Sequence, residues 1–407
     1  MSYFEGNEFF FFLILALVIG FIINYLGKRS EYYILTLSVI FAIVIYGKKT
    51  LMLSYLIGFI IYQYILVLIA HKTQNAKHLK ILVFLSVVPL IINKVFALTQ
   101  WHLLAFIGIS YMSFKTIQIM IEISDGLIKE RISIIDYIQF LLFFPTVSSG
   151  PIDRSRRFMV DIKERMPRDE YLELAGVGVY RVVLGLLYKV VLSTYSYHYL
   201  VTLPNFGSLE YSIKYMYLYT LYLFFDFAGY SLMAVGSSNI LGVQTPMNFN
   251  KPFLSIDIKD FWNRWHITLS TWLRDFVFSR VFMEATKKKR FKKRLNTAMY
   301  AYMVNMLLMG FWHGLTISYI VYGAYHGILM AGFEYYQKKS KFYKKNKNNK
   351  IWWIEDLDSI GKHMFSFDKV KIFNLFADYP HNLTPEEKEI FDEENPYWKE
   401  FFKERTK

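Results

Sequence analysis

Residues 9–26 read FFFFLILALVIGFIINYL. An unbroken apolar run of this length matches the hydrocarbon thickness of a bilayer when wound as a helix. A strand through an outer-membrane barrel would alternate apolar with polar residues, which this run does not do. Glu5 and Glu8 precede it, and Lys28 and Arg29 follow it. A secretory signal carries its positive charge in front. The run therefore reads as an uncleaved span with its N-terminal end outside.

Working outward, further apolar runs lie at 32–46, 51–70 and 81–98. Lys72, Lys77 and Lys80 between the last two suit the cytoplasm, whereas Lys48 and Lys49 fall on the outer side against the trend. The run from Trp101 to Ile123 is interrupted by Ser110, Ser113, Lys115 and Gln118, as in a helix buried among others. Runs near 174–201 and 212–235 add two more helices, with Asp169, Glu170 and Glu173 suited to the start of the first. Composition agrees: 54% of residues are hydrophobic and 19% aromatic, above the share usual in soluble domains. The expected fold class is all-α and polytopic, with about nine to eleven spans plus re-entrant and interfacial helices. Residues 1–336 form the membrane core and 337–407 a charged cytoplasmic tail without a span. Within that tail, Thr384-Pro-Glu-Glu is a good helix start.

The chain has no cysteine, so disulfides, thiolate metal ligands and thiol nucleophiles are excluded. The formal charge of +14 is what cytoplasmic loops require and is no argument for nucleic acid. No metal site is expected, because no carboxylate pattern accompanies the histidines. No phosphate-binding or dinucleotide-binding glycine motif occurs either.

Polar residues inside such a chain mark candidate sites. Residues 143–154, FFPTVSSGPIDR, break an apolar segment with two prolines, a glycine and hydroxyls including Ser149. They read as a re-entrant element or an interfacial turn. Asp226, inside an apolar run, is either functional or ion-paired, with Arg264 or Lys259 as a suitable partner. In 258–283, Asn263, His266, Ser270 and Arg274 recur three and four residues apart, which places them on one face of a continuous helix. His313 lies in Gly310-Phe-Trp-His-Gly314, between basic runs at 287–294 and 338–350. Both runs belong in the cytoplasm, so His313 sits at the turn of a membrane hairpin, deep in the membrane or at its outer side. A histidine there suits a general base, with His266 assisting. Asn263, Trp262 or Trp312 are candidate donors to an oxyanion. The apolar Phe278, Val281, Phe282 and Met283, followed by Lys287 and Lys288, suit an acidic protein partner.

Together, FFPTVSSGPIDR (143–154), LYLFFDFAGYSLMAVG (221–236), NFNKPFLSIDIKDFWNRWHITLS (248–270) and GFWHG (310–314) resemble the membrane-bound O-acyltransferases, in particular their D-alanyl-transferring branch in Gram-positive bacteria. The resemblance runs from about residue 9 to 336. It implies a helical core with a central tunnel in a multi-pass cell-membrane protein. It implies D-alanine arriving as a thioester on the phosphopantetheine of an acidic cytoplasmic carrier protein, with no resident cofactor. The acyl group then passes to teichoic acid or to a partner on the outer face. His313 corresponds to the family's catalytic histidine and His266 to its second one. Arg264, Asp226 and Ser149 join Asn263, Trp262 and Trp312 as expected substrate-binding residues. An O-acetyltransferase of exopolysaccharide and a non-catalytic acyl or lipid transporter are the competing expectations. Family members end in another span, for which residues 337–407 offer no candidate.

Overall fold

The computed structural model describes residues 6–47, 50–73, 76–96, 108–204 and 206–346, with 385, 388 and 392. Lys48, Lys49, the start of the run at Trp101, the end of the second basic run and the helix start at Thr384 lie outside the described residues. Two compact units are distinguished, Met1–Glu334 and Tyr335–Lys407.

The chain opens with four apolar helices, α1 (Asn7–Tyr25), α2 (Glu31–Tyr46), α3 (Thr50–Thr73) and α4 (Ala76–Phe96). Next come α5 (Ile109–Ser124), α6 (Ile134–Leu142) and α7 (Ser155–Lys163). A long hairpin follows. Its first arm joins α8 (Arg168–Leu186) to α9 (Thr194–Val201) through a π-helical stretch, and its second arm is α10 (Leu209–Ile240). Three short helices, α11 (Ile258–Arg264), α12 (Ile267–Leu273) and α13 (Ser279–Lys287), lead to the hairpin α14 (Arg294–His313) and α15 (Ile317–Lys339). In the second unit α16 covers Lys341–Asn346.

Among the described residues, five helices are long and apolar enough to cross a membrane: Glu8–Tyr25, Thr50–Thr73, His78–Phe96, Arg168–Val201 and Leu209–Ile240. The α2 helix is apolar but has only 16 residues. At 20 and 23 residues, α14 and α15 have the length of a span, with a lower apolar content than those five. The outer faces of α1–α4 expose Phe11, Ile14, Ile40, Ile57 and Phe84. In a protein with a multi-pass membrane character these are lipid-facing positions, where apolar exposure is required.

The arms α8 and α10 touch backbone to backbone. A Cβ on Gly178 would come 2.8 Å from the Gly236 carbonyl oxygen, and one on Gly185 2.7 Å from the Gly229 carbonyl oxygen. Small residues at both crossings allow that approach. From the π-helical stretch of the first arm, Lys189 Nζ donates to Asp226 Oδ1 of α10 at 2.6 Å. This corrects the partner expected for Asp226: Arg264 instead pairs with Asp260 at 2.8 Å, and Lys259 pairs with Glu334.

At the centre, α5 is buried along nearly its whole length. Lys115 Nζ, 1% exposed, donates to the Phe140 carbonyl at 2.8 Å and to Thr146 Oγ1 at 3.3 Å. Residues 143–153 are irregular and almost wholly buried. Protein covers their backbone, which is the condition for irregular chain at membrane depth. Tyr230 of α10 clasps this loop: the Ser149 N–H donates to its hydroxyl at 3.1 Å, and Ser148 Oγ lies 2.9 Å away. Ile152 N–H donates to Thr268 Oγ1 at 3.0 Å, tying the loop to α12. Tyr230→Phe strips both serine groups of a buried partner, which costs about 1–3 kcal/mol. We expect the variant's thermal midpoint in detergent to fall by a few degrees, and an unchanged midpoint would show that the clasp adds no stability.

Candidate active site

Asp257 starts α11, its side chain accepting from the backbone N–H groups of Lys259 and Asp260 at 2.8 and 2.9 Å. The helix then stops at Arg264, and His266 adopts φ 43°, ψ 51° before α12 begins. A positive φ on a histidine is uncommon and strained. Its cause is the segment 248–250, which pairs with the break: Ile267 N–H donates to the Asn248 carbonyl at 2.8 Å, and Asn250 N–H to the Arg264 carbonyl at 2.9 Å. The continuous helix expected over 258–283 is therefore broken at His266, and a π-helical stretch interrupts it again at Arg274–Phe278. Asn263, His266, Ser270 and Arg274 do not share one helical face.

The break turns the His266 ring inward, where it is 4% exposed. Its Nδ1 lies 3.3 Å from Asn248 Oδ1, and Thr268 Oγ1 donates to the same oxygen at 2.5 Å. An amide oxygen only accepts, so Nδ1 carries the proton and Nε2 presents a lone pair. Among the described residues that Nε2 is buried with no hydrogen-bond partner. Asn248 thus sets the tautomer, a role that sequence reading did not assign to it.

His313 ends α14, where Gly310 packs on the facing helix. A Cβ on Gly310 would stand 3.0 Å from the Gly323 Cα and closer still to the Tyr319 carbonyl. The imidazole stacks on Tyr319 (5.8 Å, 14°) and meets Tyr322 edge-on at 5.7 Å. It is exposed, unlike His266. Lys94 and His326 are near enough to act on its charge. Between the two histidines stands Trp312, 4.6 Å from His313 and 6.3 Å from His266 by ring centres. Its Nε1–H is buried without an acceptor.

A cavity of about 280 Å³ lies between α11–α12 and α14. Trp262, Asn263, Ser270 and Arg274 line it from one side, Tyr302, Asn305, Met306 and Met309 from α14. Neither His266 nor His313 is in that lining. Of the expected substrate-binding residues, Trp262 and Asn263 face the cavity, and Trp312 sits between the histidines. Arg264 is held by Asp260, Asp226 by Lys189, and Ser149 lies in the clasped loop. A third histidine, His326 on α15, packs edge-on against Trp262 at 5.1 Å and Tyr322 at 4.6 Å. Sequence reading passed over it, although it is a second glycine-flanked histidine in the same hairpin. Among the described residues no group of side chains has the makings of a metal site.

Of the residues expected to receive a partner, Met283 is 59% exposed. Phe278 instead packs at a tilt against Tyr302 at 4.5 Å, Phe282 lies under the Arg294 guanidinium, and Val281 is half-buried. Lys287 to Arg290 are exposed. Lys288 and Lys80 both bind the half-buried Glu284 and hold its carboxyl well below the usual range, at about 2.

Residues 342–406 match a model described as a family of unknown function (DUF7675). The chain is 38% identical to the teichoic acid D-alanyltransferase of Bacillus subtilis over 84% of this chain and 91% of that protein. It is 39% identical to the teichoic acid D-alanyltransferase of Streptococcus thermophilus, over 84% and 86% respectively. A probable alginate O-acetylase of Pseudomonas aeruginosa is 34% identical over 56% of this chain and 43% of its own length. Residues 65–353 match the model of the membrane-bound O-acyltransferase family, MBOAT, and it is to this family of membrane enzymes that the chain belongs.

Proposed function

We propose that this enzyme moves D-alanyl groups from a phosphopantetheine thioester, borne by an acidic cytoplasmic carrier protein, to a teichoic acid hydroxyl or to a partner on the outer face. The similarity to two teichoic acid D-alanyltransferases across 84% of the chain carries the reading. The site has the parts that the reaction needs. A thioester is already activated, so a base and an oxyanion donor suffice. His313 takes the proton of the acceptor hydroxyl as its oxygen attacks the thioester carbonyl. Trp312 Nε1–H donates to the resulting oxyanion. Collapse of the tetrahedral intermediate breaks the carbon–sulfur bond, and the imidazolium returns its proton to the leaving thiolate. His266 offers Nε2 from the buried side and orders the acceptor or the thiol. Met283 and the exposed run from Lys287 give the carrier an apolar contact inside a positive field.

Acetyl transfer to a polysaccharide is the second reading, favoured by the alginate O-acetylase similarity over a shorter part of the chain. The deciding experiment reconstitutes the full chain in lipid vesicles. Carrier protein loaded with D-alanyl or with acetyl is supplied outside vesicles that enclose a polyol-phosphate acceptor, and ester formation is measured for each. D-alanyl ester formation well above acetyl is expected. Acetyl transfer alone would overturn the D-alanyl reading.

A further inference from the structure

His326 is a neutral-capable acceptor. Among the described residues its Nδ1 is buried and has no hydrogen-bond partner. Buried polar atoms in folded proteins are paired, and one left open asks for a ligand. The surroundings narrow the chemistry of that ligand. Trp262 lies at 5.1 Å, Tyr322 at 4.6 Å and Tyr325 at 5.3 Å, each edge-to-face with the imidazole. Aromatic rings packed on an imidazole with an open lone pair favour a cation that also donates hydrogen bonds over a carboxylate. Trp262 Nε1 is itself unpartnered but can only donate, so the imidazole nitrogen is the acceptor of this corner.

The position narrows it further. Trp262 lines the 280 Å³ cavity, and His326 packs on Trp262 without itself lining that cavity. Tyr322 touches both His326 and His313. A substrate whose carbonyl carbon is within reach of His313 can extend a group along Tyr322 to His326. In an α-aminoacyl thioester the ammonium is attached to the carbon next to that carbonyl, two bonds from the reacting atom. An acetyl group has nothing there.

We infer that His326, walled by Trp262 and Tyr322, holds the α-ammonium of the aminoacyl group and so selects aminoacyl over simple acyl donors. The inference rests on the D-alanyl reading given above. In the bound state Nε2 carries the ring proton, Nδ1 accepts an ammonium N–H, and the two aromatic walls exclude water from the pair. His326 acts on choice of donor, while His313 acts on the acceptor hydroxyl.

The test uses the full chain in lipid vesicles with one carrier protein loaded with D-alanyl or with propionyl, which differ by the ammonium. The quantity read is the ratio of the two kcat/KM values. For His326→Leu that ratio is expected to fall about 30-fold, the scale of losing a charge-assisted hydrogen bond. His326→Asn returns an acceptor to nearly the same place and is expected to keep the ratio within about threefold. A ratio unchanged in His326→Leu, with both donors slowed alike, would mean a structural histidine and overturn the inference. So would equal collapse of the ratio in the leucine and asparagine variants, since the acceptor would then not matter. If the unmodified chain transfers D-alanyl but with no preference over propionyl, this inference alone fails. If it transfers no D-alanyl, the function proposed above fails and this inference falls with it.

Discussion

Replacing His313 with alanine is expected to lower D-alanyl ester formation by about a thousandfold, within the range that general-base catalysis contributes. The measurement is the D-alanine ester content of the envelope in a strain lacking its own transferase, complemented with either form at equal membrane abundance. The side chain ends α14 and is exposed, stacked on Tyr319. Its removal takes away one face of that stack and leaves the helix crossing intact. The loss should therefore appear in kcat and not in protein level. His266 cannot take over, because Asn248 and Thr268 fix its ring on the buried side of Trp312. Equal ester content from both forms would remove His313 as the base and favour a conduit that passes acyl groups without chemistry.

A comparable loss, of about a hundredfold or more, is expected from Gly310→Val, although residue 310 touches no substrate in this scheme. Its Cβ would stand 3.0 Å from the Gly323 Cα, and a Cβ on Gly323 would stand 2.6 Å from the Met306 carbonyl oxygen. These are backbone atoms of two packed helices, and they cannot turn aside as a flexible side chain can. The hairpin has to open, and overpacking of this kind costs about 1–3 kcal/mol or more. Because Trp312 and His313 follow on the next turn, they move with it. A displacement near an ångström at a reacting group is enough to cost about 100-fold in rate. Gly332→Ala on the facing α15 is the control, since among the described residues nothing lies within 4 Å of its Cβ position. The comparison is read as transfer rate per mole of folded protein in vesicles. Gly310→Val matching Gly332→Ala would show that the close crossing does not position the site.

What could be read from the sequence has a common physical origin. A span needs only its own residues: a run such as 9–26 satisfies its backbone hydrogen bonds internally and its side chains by lipid, with no reference to the rest of the chain. The helices Glu8–Tyr25, Thr50–Thr73, His78–Phe96, Arg168–Val201 and Leu209–Ile240 were legible for that reason. So was the irregular stretch 143–154, since proline, glycine and hydroxyl residues act locally. His266 and His313 stood out because an imidazole inside an apolar chain is costly wherever it ends up.

Other features depend on residues distant in sequence. Periodicity alone favoured one helix through 258–283, and it missed the hydrogen bonds from segment 248–250 that force His266 to φ 43°. Asn248 reads as an ordinary loop residue until its oxygen is seen at Nδ1 of His266. Asp226 found Lys189 across a glycine-lined helix crossing, a partner that no local pattern names. Phe278 and Phe282, hydrophobic beside a basic run, looked like a free docking face and prove to be largely spoken for by Tyr302 and Arg294. The sequence by itself determined that this is a helical membrane protein with two functional histidine candidates, because burial in lipid is a property of each segment alone. Which tautomer His266 holds, what stands between it and His313, and that His326 shares Tyr322 with His313 were decided only by the tertiary structure, because a ring's neighbours are set by helix packing and not by its place along the chain.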